Sequence, residues 1–339
     1  MKRNSSFNKV LITGSSGFIG FHLSKSLLKE GYHVHGYDGL TDYYDINLKK
    51  KRHTLLCEYK NFYMSEGFIE DNKNFYTIAE NFQPDIIIHL AAQAGVRHSI
   101  EHPRAFLDAN IIGTFNVMEA AKKLNVKHIM MASTSSVYGA NNKTPFREID
   151  KTESQLSIYA STKKANESMA HSYSYTWGLP TTMMRFFTVY GPWGRPDMAL
   201  FKFVRSILSD KPIYLFNEGN MFRDFTYIDD IIKSIKLLIN KIPNKKEFIE
   251  IDSLSDVAPY RIVNIGNSEK VNLLDFVNII QELLDKKAII KHMPLQQGDV
   301  IETYADTSLL FHLTKFRPKT NIKDGIFEFI EWYKDYYKE

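Results

Sequence analysis

A tyrosine and a lysine stand four residues apart in the segment Tyr159-Ala-Ser-Thr-Lys163, downstream of a run of four hydroxyl residues at 133–136. On a helix, residues four apart share a face, so Lys163 would lie beside Tyr159. A tyrosine hydroxyl has a pKa near 10 and is a poor base at neutral pH. A neighbouring ammonium favours the tyrosinate by roughly 1–3 pKa units. The pattern therefore predicts proton removal by Tyr159, supported by Lys163 and by an upstream hydroxyl.

A glycine-rich turn near the start of the chain suggests a phosphate site. Gly14, Gly17 and Gly20 follow a β-rich run and open a helical stretch. Glycines let the backbone approach a pyrophosphate, and a helix N-terminus offers N–H groups and partial positive charge. The spacing differs from the common G-x-G-x-x-G fingerprint, and a tight turn without a ligand is the alternative. Asp38 ends the next predicted strand, where a carboxylate accepts hydrogen bonds from ribose hydroxyls and favours NAD over NADP.

The elements that would position these residues alternate between strand and helix. Short apolar runs at 9–13, 33–37, 85–90 and 128–132 are typical of buried parallel strands, which predicts a doubly wound α/β sheet. After Arg185 the sequence becomes turn-rich, so we expect a smaller C-terminal α/β domain. We assign residues 1–190 to the first domain and 191–339 mainly to the second, with a segment near 223–240 returning to the first.

Composition narrows the function classes. The 339 residues carry a net charge of only +4, and we interpret the basic run Lys49–Arg52 as a solvated helix face, so nucleic acid is not expected as a partner. The single cysteine, Cys57, excludes an internal disulfide, and we expect no metal site because we take the histidines to lack ligand spacing. No secretory signal or membrane-length apolar run is visible, so we expect a cytoplasmic enzyme without a membrane partner.

Two predicted helices, 103–124 and 159–177, are apolar on more than one face. Such wide apolar coverage indicates a second packing surface. It predicts either a homodimer formed through these helices or their burial within one chain.

Sequence blocks along nearly the whole chain carry a family resemblance. The loop at 14–20, Asp38, the Thr134 cluster and the Tyr159/Lys163 pair resemble the extended short-chain dehydrogenase/reductase family. Longer blocks are similar to its nucleotide-sugar epimerases that act on UDP-glucuronate, and these are AAQAGVRHS (91–99), STSSVYGAN (133–141), YASTKKANE (159–167), RFFTVYGPWGRPDMAL (185–200), RDFTYIDD (223–230) and QGDVIETYAD (297–306).

The resemblance implies a Rossmann-type fold, a tightly bound NAD and a UDP-sugar substrate epimerised at C4 through a 4-keto intermediate. It implies that Thr134 and Tyr159 handle the proton and that Lys163 bonds the nicotinamide ribose. The residues expected to bind NAD are Gly14, Gly17, Phe18, Ile19, Asp38, Leu90, Ala92, Asn110, Tyr159 and Lys163. On the substrate side, Arg223 is expected at the pyrophosphate and Asp299 at the uridine ribose, and Arg195 is placed in the same site.

The remaining hydroxyls raise a separate hypothesis. A 4-keto sugar with a carboxyl group on C5 is a β-keto acid and loses carbon dioxide readily, so the carboxylate has to be held still. Ser135, Ser136 and Thr188 are candidates for that task, the alternative being that such small residues merely end a strand. The roles of Arg97 and Ser133 stay open. Gly39 and Phe68 depart from the family pattern, in which an Asn and an Asp are usual, and leave the adenine end open.

Two other functions compete with a uronate epimerase. A 4-epimerase of a neutral or N-acetylated UDP-hexose usually carries Asn at the position of Thr188. A non-catalytic NAD-binding scaffold has no use for the Thr134, Tyr159 and Lys163 set. Related dehydratases and decarboxylases usually carry an acidic residue at the position of Ser136, so a serine there disfavours both.

Overall fold

The computed structural model describes residues 7–244, 251–296 and 298–338, so Gln297 of the block 297–306 lies outside the described residues. The strands are β1 (Lys9–Thr13), β2 (His33–Asp38), β3 (Phe62–Glu66), β4 (Ile86–His89), β5 (His128–Thr134), β6 (Thr181–Phe186), β7 (Thr188–Tyr190), β8 (Ile213–Phe216), β9 (Phe222–Arg223), β10 (Phe225–Tyr227), β11 (Tyr260–Ile265), β12 (Val271–Asn272) and β13 (Ile290–Met293). Seven of them form one parallel sheet in the order β11-β6-β5-β4-β1-β2-β3.

Helices cover both faces of this sheet. They are α1 (Phe18–Lys29), α2 (Ile46–Cys57), α3 (Asn72–Phe82), α4 (Val96–Glu101), α5 (Pro103–Phe106), α6 (Thr114–Lys123), α7 (Ile158–Trp177), α8 (Ala199–Leu208), α9 (Ile228–Leu238), α10 (Leu273–Leu284), α11 (Ser308–Thr314) and α12 (Ile322–Tyr337). One apolar core joins α1, α9 and α11 to the sheet, and another joins α3, α6 and α7 to it. The prediction of a doubly wound α/β fold is confirmed.

A third apolar core lies outside the main sheet. It gathers α8, α10 and α12 around the short strands β8 and β10. The parallel pairing of β7 with β10 places Thr188 opposite Phe225, two residues after Arg223. Because β7 follows directly on β6, this pairing places Arg223 and Thr188 near the end of the main sheet. The division of the chain into two domains stays a prediction.

The stretch 103–124 is not one continuous helix. A wider π-helical turn at Leu107–Gly113 separates α5 from α6. Asn110 lies in this turn and is fully buried. Interruptions of this kind are frequent at functional sites. None of the described helices is long and apolar enough to span a membrane.

The interpretation of the run Lys49–Arg52 as a solvated face is wrong for half of its members. Lys50 and Lys51 are exposed, but Lys49 and Arg52 lie three apart on the inner face of α2 and are 6% and 0% exposed. The Lys49 ammonium donates to the carbonyl and hydroxyl oxygens of Thr41, at 2.5 and 2.8 Å. Burial of a charged side chain is tolerated where hydrogen-bond partners of this kind satisfy it.

Candidate active site

The glycine turn brings the start of α1 against the carboxyl ends of the central strands. Gly14 has φ +75°, and a Cβ atom there would lie 2.7 Å from the Ala91 nitrogen. A Cβ on Gly20 would lie 2.0 Å from the Gly14 oxygen. Only glycine fits both positions, so the loop keeps its backbone N–H groups open toward a ligand.

Asp38 shapes this loop from the end of β2. Its carboxylate accepts hydrogen bonds from the backbone N–H groups of Ser16 and Leu40, each at 2.9 Å. The side chain is 9% exposed and borders the cavity described next. Asp38 thus ties the glycine turn to the following loop and presents negative charge to the cavity, where the hydrogen bond to a ribose stays a prediction.

A cavity of about 640 Å³ runs along the carboxyl ends of the strands. Most of the residues predicted to bind NAD line it, namely Gly14, Gly17, Phe18, Ile19, Asp38, Leu90, Ala92, Tyr159 and Lys163. Asn110 does not line it. Its amide instead bonds the backbone N–H and carbonyl of Gln93, at 2.9 and 3.0 Å, and the Thr162 hydroxyl at 3.0 Å. Asn110 therefore supports the cavity wall from behind, and its direct contact with NAD stays a prediction.

The two departures from the family pattern meet in space. A Cβ atom on Gly39 would lie 2.9 Å from the Phe68 ring. Phe68 is 55% exposed and borders the same cavity. The ring therefore occupies the space that a larger residue at position 39 would need, and it offers an apolar face where an adenine can stack.

Tyr159 and Lys163 lie on one face of α7, next to the end of β5. The Lys163 ammonium donates to the Ala132 carbonyl at 2.9 Å, and burial lowers the pKa of Lys163 to about 8. Burial also raises the pKa of Tyr159, opposed by a hydrogen bond with Thr134 and by the charge of Arg195. Among the protein's own groups the net direction is thus opposite to the one predicted from the Tyr–Lys spacing. A low-dielectric site disfavours the tyrosinate until a further positive charge enters it.

The four hydroxyls at 133–136 divide between two environments. Ser133 faces inward and donates to Glu167 at 2.7 Å, and the same carboxylate binds Arg185 through two bonds of 2.8 Å. Thr134 borders the cavity and accepts a hydrogen bond from the Ser136 backbone N–H at 3.2 Å. Ser133, whose role the sequence left open, thus helps to hold the buried Glu167–Arg185 ion pair behind β5.

A second cavity of about 140 Å³ adjoins the first. Ser135, Ser136 and Thr188 line both cavities. Arg223 and Asp299 line only the second. The structure thus brings the predicted substrate residues together and places the three hydroxyls at the junction with the cofactor cavity.

The cations near the junction differ in how they are held. Arg195 borders the large cavity and binds Asp197 through bonds of 3.0 and 2.6 Å. Arg97 pairs at 3.2 Å with Asp299, which lines the second cavity, and this gives Arg97 a partner that the sequence left open. The Arg223 guanidinium donates to the carbonyls of Phe222 and Ile301 at 2.8 and 3.1 Å. Both bonds come from one guanidinium nitrogen, so Arg223 keeps further donors for an anionic ligand in the second cavity.

Arg52 is a buried residue that supports the candidate site and that sequence reasoning missed. Its guanidinium donates to the Ser16 carbonyl in the glycine turn at 3.0 Å and to the carbonyls of Trp193 and Gly194 at 2.6 and 3.3 Å. No ion pair involves Arg52 within the described parts of the chain. It therefore joins the phosphate turn to the loop that carries Arg195. Its three-residue spacing from Lys49 was the available signal.

The statement that the histidines lack ligand spacing is also wrong. His98 and His102 are four residues apart, and their ring centroids lie 4.5 Å from each other. With Glu101 they form a group whose possible ligand atoms all lie within 4.8 Å of one another.

Sequence and structure comparisons agree on the family. Residues 10–266 match the NAD dependent epimerase/dehydratase family, and the chain belongs to it. The glycine cradle, the carboxylate at the end of β2 and the size of the cavity fit the NAD that the family's description names.

Within this family, the chain is most usefully compared with individual relatives. The chain is 48% identical to a probable UDP-glucuronate 4-epimerase of Rhizobium meliloti over 334 residues, covering 97% of this chain and 98% of the relative. It is also 48% identical to Protein CapI of Staphylococcus aureus, covering 98% and 100%. The UDP-glucuronic acid 4-epimerase of Bacillus cereus, solved in complex with UDP-glucuronic acid and NAD, superposes with a TM-score of 0.87 at 30% identity, covering 97% and 100%. The sequence-based recognition of the family and of NAD as the cofactor is confirmed.

Proposed function

We propose that this chain is an NAD-dependent UDP-glucuronate 4-epimerase, which interconverts UDP-glucuronate and UDP-galacturonate. The observation that carries the proposal is the junction of the two cavities. Three hydroxyls, on Ser135, Ser136 and Thr188, meet there beside the Thr134 and Tyr159 pair. A sugar whose C4 lies at Tyr159 then has its C5 carboxylate at short, uncharged donors.

Proton transfer at C4 falls to Tyr159. NAD, when bound, would supply a reversible hydride acceptor for C4 of the sugar. Tyr159 removes the proton of the C4 hydroxyl, and Thr134 bonds the C4 oxygen and helps to pass that proton. Lys163 binds the nicotinamide ribose and adds positive charge near the tyrosinate. Burial raises the pKa of Tyr159, so proton removal by Tyr159 would need added positive charge beside it, which an oxidised cofactor would supply.

The carboxylate is held away from decarboxylation by the three junction hydroxyls. Loss of carbon dioxide from the 4-keto sugar is fastest when the breaking bond aligns with the carbonyl π-system. Hydrogen bonds to the carboxylate from Ser135, Ser136 and Thr188 fix its rotation and hold it out of that alignment. Hydroxyls supply these bonds without the desolvation that a buried lysine would add.

The uridine diphosphate is anchored in the second cavity. Arg223 there provides the positive charge for a pyrophosphate, and Asp299 provides acceptors for ribose hydroxyls. Arg97 pairs with Asp299 and so places a second positive charge beside the nucleotide. Arg195 serves the sugar side from the larger cavity.

The proposal is tested by incubating the purified chain with UDP-glucuronate and, separately, with UDP-glucose, followed by chromatography of the released sugars. Conversion of UDP-glucuronate to UDP-galacturonate is expected. Conversion of neutral sugars alone would favour the 4-epimerase of a neutral or N-acetylated hexose. No conversion with NAD still bound would favour a scaffold.

We further propose a homodimer through the stretches 103–124 and 159–177. Leu107, Ile112 and Phe115 are 42–49% exposed, and Trp177 is 53% exposed. Large apolar side chains at this exposure on neighbouring helices fit a shared surface. Sedimentation that gives monomer at all concentrations would contradict the dimer.

A further inference from the structure

A group of three metal-binding side chains lies at the rim of the large cavity, outside the residues used in the epimerase proposal. His98 and Glu101 belong to α4, and His102 follows it directly. Their possible ligand atoms, two imidazole nitrogens and a carboxylate oxygen, all lie within 4.8 Å of one another. Two histidines and a carboxylate are the donor types that zinc and neighbouring first-row metals prefer.

The three side chains are not committed elsewhere. Within the described residues, neither imidazole ring nor the Glu101 carboxylate takes part in a hydrogen bond or an ion pair. The two rings pack on each other at 4.5 Å, and His98 also packs on the Tyr43 ring at 4.4 Å. The donor set is therefore brought together by ring packing while its ligand atoms stay available.

Binding requires only a small adjustment of exposed side chains. Two ligand atoms about 2.1 Å from a tetrahedral zinc ion lie roughly 3.4 Å apart. Separations of at most 4.8 Å have to shorten by about 1.4 Å or less, which side-chain rotation can supply. Glu101 and His102 are exposed, so their rotation is not blocked by a surrounding core, and His98 is half-buried and fixes the position of the site.

We propose that His98, Glu101 and His102 bind one divalent transition-metal ion of the zinc class, with water completing the coordination. The site adjoins the large cavity through neighbouring residues. Val96 and Gly95, at the start of α4, line the large cavity, and so does Tyr43. The ion would therefore sit at the cavity rim and leave the Thr134, Tyr159 and Lys163 set untouched.

The test uses the untagged, full-length chain and Co²⁺ as a spectroscopic probe, with Zn²⁺ in parallel by calorimetry. One equivalent of Co²⁺ with visible d–d absorption is expected. His98→Ala and His102→Ala are expected to lose this binding, and Glu101→Gln to weaken it. The exposed His312 on α11 supplies the matched control, because His312→Ala removes an imidazole elsewhere and should bind as the parent does.

A second control tests whether the Cys57 thiol, rather than the proposed site, binds the cobalt. The Cys57 sulfur lies 3.4 Å from a His53 ring nitrogen, so this pair could also take up cobalt. Cys57→Ser is expected to retain the full equivalent. The proposal is overturned if the parent chain takes up no metal, if both His98→Ala and His102→Ala retain it, or if Cys57→Ser abolishes it. Far-ultraviolet circular dichroism verifies that each variant is folded.

Discussion

Substitutions at Ser136 offer the sharpest test of whether the substrate is a UDP-uronate. The Ser136 hydroxyl is expected to hold the substrate carboxylate and so to favour epimerisation over decarboxylation. Ser136 lies at the junction of the two cavities, and its hydroxyl accepts from Thr134 at 3.3 Å. Replacing it with alanine removes one hydrogen bond to a charged carboxylate, which is worth about 1.5–3 kcal/mol. The KM for UDP-glucuronate should rise roughly 10- to 160-fold.

Ser136→Glu adds charge as well as bulk. Two carboxylates about 4 Å apart repel by about 4 kcal/mol at an effective dielectric constant of 20. This repulsion corresponds to a roughly thousandfold higher KM for UDP-glucuronate. Ser136→Gln matches the size of glutamate without its charge and isolates the electrostatic part. The Glu variant should also release a 4-keto pentose and carbon dioxide, since its substrate carboxylate is no longer held.

Initial rates with UDP-glucuronate give the KM, and chromatography with mass detection measures the released pentose. Calorimetry with UDP measures binding at the nucleotide part of the site alone. UDP binding should stay unchanged in the Ala and Gln variants, because UDP has no uronate carboxylate, whereas the Glu variant should also bind UDP more weakly because Ser136 lines the second cavity as well. The reasoning is refuted if Gln and Glu at position 136 behave alike and neither releases pentose, or if Ser136→Ala weakens UDP and UDP-glucuronate equally.

Three further predictions concern the catalytic base, the buried ion pair behind it and the acid range. Tyr159→Phe should lower kcat about 10²- to 10⁴-fold while NAD stays bound, because the positioned base is lost and the fold is kept, and retained turnover would remove Tyr159 from this role. Glu167→Gln should lower the free energy of unfolding by about 3–5 kcal/mol in urea titrations, because it leaves Arg185 buried at 1% exposure without its charge partner, whereas the pair Glu167→Leu with Arg185→Met should cost much less. Burial lowers the pKa of His89 to about 3, so the unfolded chain takes up its proton near pH 6.5 while the folded chain does not. Stability from this group is therefore complete above pH 6.5 and should fall by about 1.4 kcal/mol per pH unit between pH 6.5 and 3, and His89→Gln should show a shallower acid decline in pH-dependent unfolding.

Much of the candidate site could be read from local patterns. The spacing of Tyr159 and Lys163 places them on one helix face whatever the rest of the fold does. The glycines of the turn and Asp38 are set by the strand–turn–helix unit and by the end of the next strand. These features depend on neighbours within one or two elements of the chain, and local periodicity encodes them directly.

The tertiary structure decided which polar groups turn inward and how the two cavities meet. Arg52 looked like part of a solvated basic run, but carbonyls at Trp193 and Gly194, more than 140 residues away, hold its guanidinium inside. Asn110 likewise faces buried partners rather than the cavity, and Ser133 borders the cavity but directs its hydroxyl to the buried Glu167. Burial of a polar group is favourable only where distant partners satisfy it, and periodicity along the chain does not display those partners.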